Sequence, residues 1–176
     1  YYDNDPTKPR LYNWYAVMGI HDTDPNTPNK EFAPEGWHVP TDAEWTTLEN
    51  HLIANGYNYD GTTTFNHIAK SMASTTGWFS STDLGAPGND PSSNNSSGFN
   101  AFPEGQRSTN DSGGEGDFAF FWTSSGFDPN AAIVNHEACS MDDFDTDWDE
   151  NSSISACIAL YRLLTYNNSS LFKTNI

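Results

Sequence analysis

The sequence predicts a mixed α+β domain. Three observations carry that reading. The stretch Gly36 to Trp45 holds a complete helix-start signal, several short aromatic-rich segments alternate like strands, and the intervening runs of Ser, Asn, Gly, Asp and Pro have the composition of loops.

Residues 1–10 are polar, contain Pro6 and Pro9, and read as an opening loop. Leu11 to Val17 (Leu-Tyr-Asn-Trp-Tyr-Ala-Val) reads as a strand, and residues 20–35 as a loop rich in Asp, Asn and Pro. Val39 precedes Pro40 and is biased to an extended backbone. Thr41 can then cap a helix, and Glu44, three residues on, can reach back to the Thr41 N–H to make a capping box. Trp45, Leu48 and Leu52 place one apolar face on this helix, which spans about residues 42–55 and stops at Gly56. Trp37, just upstream, is expected to pack beneath it.

Asn55-Gly56 and Asp60-Gly61 signal turns. A second helix is expected over 63–73, with Phe65, Ile68, Ala69 and Met72 on one face and Lys70 outside. Residues 80–98 form a long loop, of a length that tends to be functional or flexible. Residues 99–107 lead into a sheet, Gly113-Gly114 marks a turn, and strands are expected at Phe118–Ser124, Ile133–Cys139 and Ile154–Tyr166.

The 176 residues fit one domain spanning 1–176. A chain this long buries roughly 70% of its unfolded surface. The core should be aromatic, because the chain holds six Trp, eight Tyr and eleven Phe. Seven Lys and Arg against 24 Asp and Glu leave a net charge of −17. Such a charge repels nucleic acid and anionic membranes, keeps the chain soluble and attracts cations. No apolar run approaches the length of a membrane span, so no membrane insertion is expected. The chain opens in mid-pattern on Tyr1-Tyr2-Asp3 and reads as a fragment or mature piece.

Several segments together carry a family resemblance. They are Leu11 to Val17, Gly36 to Leu52, Gly77-Trp78, Gly98 to Arg107, Phe121 to Ser125 and Tyr161 to Leu164. In this order and spacing the chain resembles the Fibrobacter succinogenes major paralogous domain. The resemblance implies a C-type-lectin-like fold, with two helices packed on a small twisted antiparallel sheet beneath long loops, related to the formylglycine-generating (sulfatase-modifying) enzymes. It also implies a bacterial origin. The family's first and last strands are missing from this sequence, so a neighbouring chain would complete the sheet unless the strands lie elsewhere in the gene.

The acidic run Asp142, Asp143, Asp145, Asp147, Asp149 and Glu150 is the clearest chemical cluster. It reads either as an exposed acidic hairpin or as a Ca²⁺ site of carboxylate oxygens. It is not an EF-hand, because position six is Glu150 and position twelve Ala156. Asp22, Asp24 and Asn26 repeat the spacing and fail the same test. Asp83, Asn89, Asp90, Asn94 and Asn95 make the long loop oxygen-rich with no nearby Lys or Arg, which suits the Ca²⁺-fixed loops the resemblance implies.

Lectins of the implied fold ligate Ca²⁺ and sugar through Glu-Pro-Asn or Gln-Pro-Asp beside Trp-Asn-Asp. Asp128-Pro129-Asn130 and Trp148-Asp149-Glu150 are near misses, so Asp128, Asn130 and Trp148 are the candidate sugar contacts.

Cys139 and Cys157 suggest one structural disulfide, the alternatives being two buried thiols or redox or copper chemistry. Neither adjoins a Lys, Arg or His that would lower its pKa, so catalysis of the sulfatase-modifying type is not expected. His38 is expected to make a structural hydrogen bond at the helix corner, and Arg107 and Arg162 to form buried pairs with acids.

The function expected is that of a non-enzymatic extracellular module of a bacterial surface or fibre, acting in structure, adhesion or assembly. Its partners would be further copies of itself or other surface proteins. The alternative is a carbohydrate-binding module for polysaccharide, with an enzyme a distant third.

Overall fold

A computed structural model describes residues 10–24, 26–30, 32–107, 112–122 and 124, and the strand positions 134–135, 155–156 and 161–162. The architecture is mixed helix and strand. A short strand β1 (Tyr12–Asn13) runs into one helical turn, α1 (Trp14–Val17). β2 (Trp37–His38) leads to the main helix α2 (Asp42–Ala54), and α3 (Ala69–Met72) is a further single turn. The remaining strands are β3 (Glu104–Arg107), β4 (Ser112–Glu115), β5 (Phe121–Trp122), β6 (Val134–Asn135), β7 (Ser155–Ala156) and β8 (Tyr161–Arg162).

Four strands form one antiparallel sheet in the order β1-β7-β3-β4, while β2 pairs with β8 and β5 with β6. β7 is therefore internal, with Tyr12 opposite Ala156 and Arg107 opposite Ser155. Trp37 is half-buried on β2, opposite Arg162.

α2 forms as its sequence dictates. The Thr41 hydroxyl accepts the Glu44 N–H at 3.3 Å, and Glu44 Oε2 accepts the Thr41 N–H at 2.8 Å. At the other end Gly56 takes φ +76°. The Gly56 N–H returns to the Ile53 carbonyl and the Tyr57 N–H to the Leu52 carbonyl, the paired bonds of a Schellman ending.

Trp45, Leu48 and Leu52 are buried with Ile68, Met72, Phe99, Ala101, Ala119 and Phe121 in one core. At its centre the rings of Trp45, Phe99 and Phe121 lie 5.4–5.9 Å apart. Each such contact is worth about 0.5–1.5 kcal/mol beyond its buried area. A second core gathers Val17, Val39, Phe120 and Trp122. Residues 119–122 thus separate two cores, with Ala119 and Phe121 in one and Phe120 and Trp122 in the other. Alternation on an extended chain produces that division. The segment is pinned at its C-terminal end, by Trp122 Nε1 donating to the Tyr12 carbonyl at 2.7 Å and by the Ser124 N–H donating to the Pro40 carbonyl at 2.7 Å.

Four expectations are corrected. Leu11–Val17 is not one strand, because Asn13 Oδ1 accepts the Ala16 N–H at 2.8 Å and caps α1. Gly113-Gly114 lies inside β4 rather than at a turn. Its partner in register is the segment around Gly105, and Gly105 and Gly114 both take positive φ. A Cβ on Gly105 would sit 2.4 Å from the Gly113 carbonyl oxygen. Among the described residues, pairing over 118–124 is confined to Phe121–Trp122, since the segment packs between cores instead of extending a sheet.

The helix expected over 63–73 shrinks to Ala69–Met72. Residues 58–67 close on themselves instead. Asp60 Oδ1 accepts the Thr62 N–H and hydroxyl at 3.0 and 2.7 Å. Buried Asn58, 4% exposed, donates to the carbonyls of Thr62, Thr64 and Phe65 and accepts the His67 N–H. Side-chain bonds of this kind compete with helix formation, and three consecutive threonines do not resist them.

Candidate functional site

The long loop folds over α3. The Asn95 N–H donates to the Lys70 carbonyl and the Ser97 N–H to the Ser71 carbonyl, both at 3.0 Å. Lys70 is therefore not on the outside as expected; it is 7% exposed. Its ammonium donates to the Asn89 carbonyl, and to those of Asp90 and Ala86 at 3.3 and 3.4 Å. Desolvation holds its pKa below the ordinary lysine value, against a smaller raising effect of the Asp90 charge.

This placement bears on calcium. Backbone oxygens of the oxygen-rich loop, the carbonyls of Ala86, Asn89 and Asp90, face an ammonium supplied from α3. Asp90 Oδ1 in addition accepts the Ser92 hydroxyl. Asn94 Nδ2 donates to the Ser74 and Pro87 carbonyls at 2.9 and 3.0 Å. The residues around Lys70 do not fit Ca²⁺, because a second cation would meet the ammonium at short range. The buried Asn94 and Asn95 Oδ1 atoms have no partner among the described residues. They are acceptors suited to buried water.

The first loop uses its carboxylates locally. Asp22 Oδ1 accepts the Asp24 N–H, and Asp24 Oδ1 accepts the Asn26 N–H, each at 2.9 Å. The Asn26 backbone and side-chain donors hold the Asp24 carboxyl below its ordinary value. A polar cleft of about 180 Å³ lies against this loop, bounded by Ile20, His21, Thr27 and Asn29.

At the helix corner, His38 Nε2 donates to the Glu44 carboxylate at 2.8 and 2.9 Å. Burial, the largest influence, pushes the Glu44 carboxyl up. The Thr41 N–H, the His38 ring and the Thr41 hydroxyl together outweigh it and hold the group below its ordinary value. The expected structural role of His38 is thus seen as a bond to the capping-box acid. Arg107 sits in β3 opposite Ser112.

The acidic run Asp142, Asp143, Asp145, Asp147, Asp149 and Glu150 lies outside the described residues, as do Cys139, Cys157, Asp128, Asn130 and Trp148. Among the described residues no three His, Cys, Asp or Glu side chains are grouped to hold a metal ion. No described helix is long and apolar enough to cross a membrane.

Lys70 and Asn58 organise two loops and were missed in the sequence. The available signal for Lys70 was its place between the core residues Ile68 and Met72 in a chain with only seven Lys and Arg.

The model of the Fibrobacter succinogenes major domain matches residues 2–154. The chain belongs to this family. Of the segments that carried the resemblance, those from Leu11 to Ser125 lie inside the matched range. No curated protein and no solved structure matches this Fibrobacter succinogenes major domain chain.

Proposed function

We propose that the chain is a non-enzymatic extracellular module of a bacterial surface or fibre, acting in structure, adhesion or assembly, with a C-type-lectin-like fold. The observation that carries the reading is the employment of its ionisable side chains. Lys70 closes the long loop, Asp60 and His67 close the 58–67 loop, and Glu44 and His38 fix the start of α2. Lys70, Asp60 and Glu44 hold backbone groups, and His67 and His38 pair with the two carboxylates. The sheet also offers an edge. Among the described strands β4 pairs only with β3, and its Gly113-Gly114 presents backbone with little side chain to obstruct a further strand.

Under this reading the acidic run 142–150 holds Ca²⁺, which offsets a charge of −17 when copies approach. Sedimentation velocity across salt and Ca²⁺ concentrations tests it. Association that strengthens with either is expected, and a monomer throughout overturns the assembly reading. Thermal melting in excess Ca²⁺ against excess chelator tests the ion, and identical curves overturn it.

A second reading, polysaccharide binding, is favoured by the exposed aromatic ring of Phe65, 78% accessible. A glycan array tests it: binding to neutral glycans is expected, and no binding overturns it.

A further inference from the structure

The loop 58–67 holds an aromatic side chain out of the core at a conformational cost. Phe65 has φ +63°, a conformation costly to any residue with a Cβ and uncommon for a bulky one. Strain of this kind persists only where the surroundings impose it. Here Asn58 imposes it, by donating to the carbonyls of Thr62, Thr64 and Phe65 and accepting the His67 N–H beyond the bend. The Asp60 carboxylate adds the Thr62 bonds and takes His67 Nδ1 at 3.0 Å.

The rings are arranged in a particular way. His67 stacks on Phe65 at 6.1 Å and 21° and lies against Tyr59 at 5.5 Å and 39°. Tyr59 and Phe65 are both exposed. Around them Thr62, Thr63, Thr64 and Asn66 are exposed and uncharged.

We infer that Tyr59, Phe65 and His67 form a contact site for neutral polysaccharide, on which a sugar ring stacks by its C–H face while its hydroxyls meet the Thr and Asn rim. Four ligand classes use exposed rings, and geometry and charge separate them. A cation cage sets rings around the ligand, whereas Tyr59 and Phe65 each lie within 39° of parallel to His67 and the Asp60 carboxylate is engaged by Thr62 and His67. Nucleobases stack on such rings, but the chain's −17 charge opposes a polyphosphate. An apolar protein partner would favour an apolar rim. A neutral sugar, amphipathic and uncharged, fits both the ring and its border. The site uses none of Asp128, Asn130 and Trp148 and requires no Ca²⁺.

The inference rests on the polysaccharide-binding reading, and one variant separates the two. Phe65→Gly removes the ring and accepts the positive φ without strain. Affinity electrophoresis of the 176-residue chain through barley β-glucan, xyloglucan, galactomannan and laminarin, with EDTA present, gives the readout. The wild type should be retarded by at least one polymer. Phe65→Gly should run as in an empty gel while its Tm stays the same or rises by about 2–4 °C. Retardation of the wild type that Phe65→Gly retains in full overturns this site and leaves the polysaccharide reading standing. No retardation of the wild type by any of the polymers overturns both. Quenching of the chain's fluorescence by choline at low salt, with no sugar binding, overturns the choice of ligand class.

Discussion

Glu44 Oε2 accepts from the Thr41 N–H at 2.8 Å while the same carboxylate accepts from His38 Nε2 at 2.8 and 2.9 Å. One carboxylate thus closes the capping box and ties β2 to the start of α2. Thr41→Ala should lower stability by about 1 kcal/mol, the usual loss for an N-cap hydroxyl, measured by urea unfolding at neutral pH.

The same carboxylate sets an acid dependence. Its folded pKa lies below the ordinary 4.5, so between those values the unfolded chain binds the proton more readily. Glu44 therefore contributes stability above about pH 4.5, and the contribution is lost as pH falls through the lower folded value. The stability gap between wild type and Glu44→Gln should be widest at pH 6–7 and close toward pH 3, and a gap constant with pH would refute this.

Lys70→Met keeps most of the stem's volume and removes the donor to the Ala86, Asn89 and Asp90 carbonyls. Leaving buried acceptors unsatisfied costs about 1–3 kcal/mol. The loss should be local first, because these bonds fix the loop to α3. Limited proteolysis should cut Lys70→Met within 81–98 under conditions where the wild type stays intact, and identical digestion patterns would contradict the assignment.

The helix α2 was legible because its signals are local. Thr41 and Glu44 are three residues apart, and Gly56 adjoins the last turn. The segment Phe118–Ser124 read as a strand, but the division of residues 119–122 between two cores depends on what packs on each side. Lys70 and Asn58 were not legible for the same reason. A lysine beside Ile68 and Met72 is buried only once a loop some twenty residues away supplies carbonyls. An asparagine three residues before Gly61 reads as a turn former, whereas here it is the hub of the loop. The suggested sugar contacts, cysteines and acidic run lie outside the described residues, and Phe65, expected on one helix face with Ile68 and Met72, is exposed because residues 58–67 form a loop.

Asn58→Ala tests that hub. It removes the donor to three carbonyls and the acceptor of the His67 N–H in one change. A loss of about 2–3 kcal/mol is expected, at the upper end for breaking a buried hydrogen-bond network. Asn58→Asp keeps the acceptor but replaces the donors with charge, and should be worse at pH 7 than at pH 4, where a protonated acid can donate one bond. Urea unfolding of both variants at the two pH values checks the order; equal loss at both would remove Asn58 from this role.

The last expectation concerns the cysteines. β7 (Ser155–Ala156) lies between β1 and β3, and Cys157 follows it directly in the chain. A bond from Cys157 to Cys139 would tether the acidic segment between them to an internal strand. Closing a loop of this length stabilises by on the order of 3 kcal/mol through the unfolded state. The intact protein should keep its mass on alkylation without reductant, gain two adducts after reduction, and melt at a lower temperature once reduced. The Cys157→Ser variant should melt with the reduced protein, because both lack the tether while keeping the strand's backbone bonds. Prompt labelling of both thiols in the native, unreduced protein would rule the bond out.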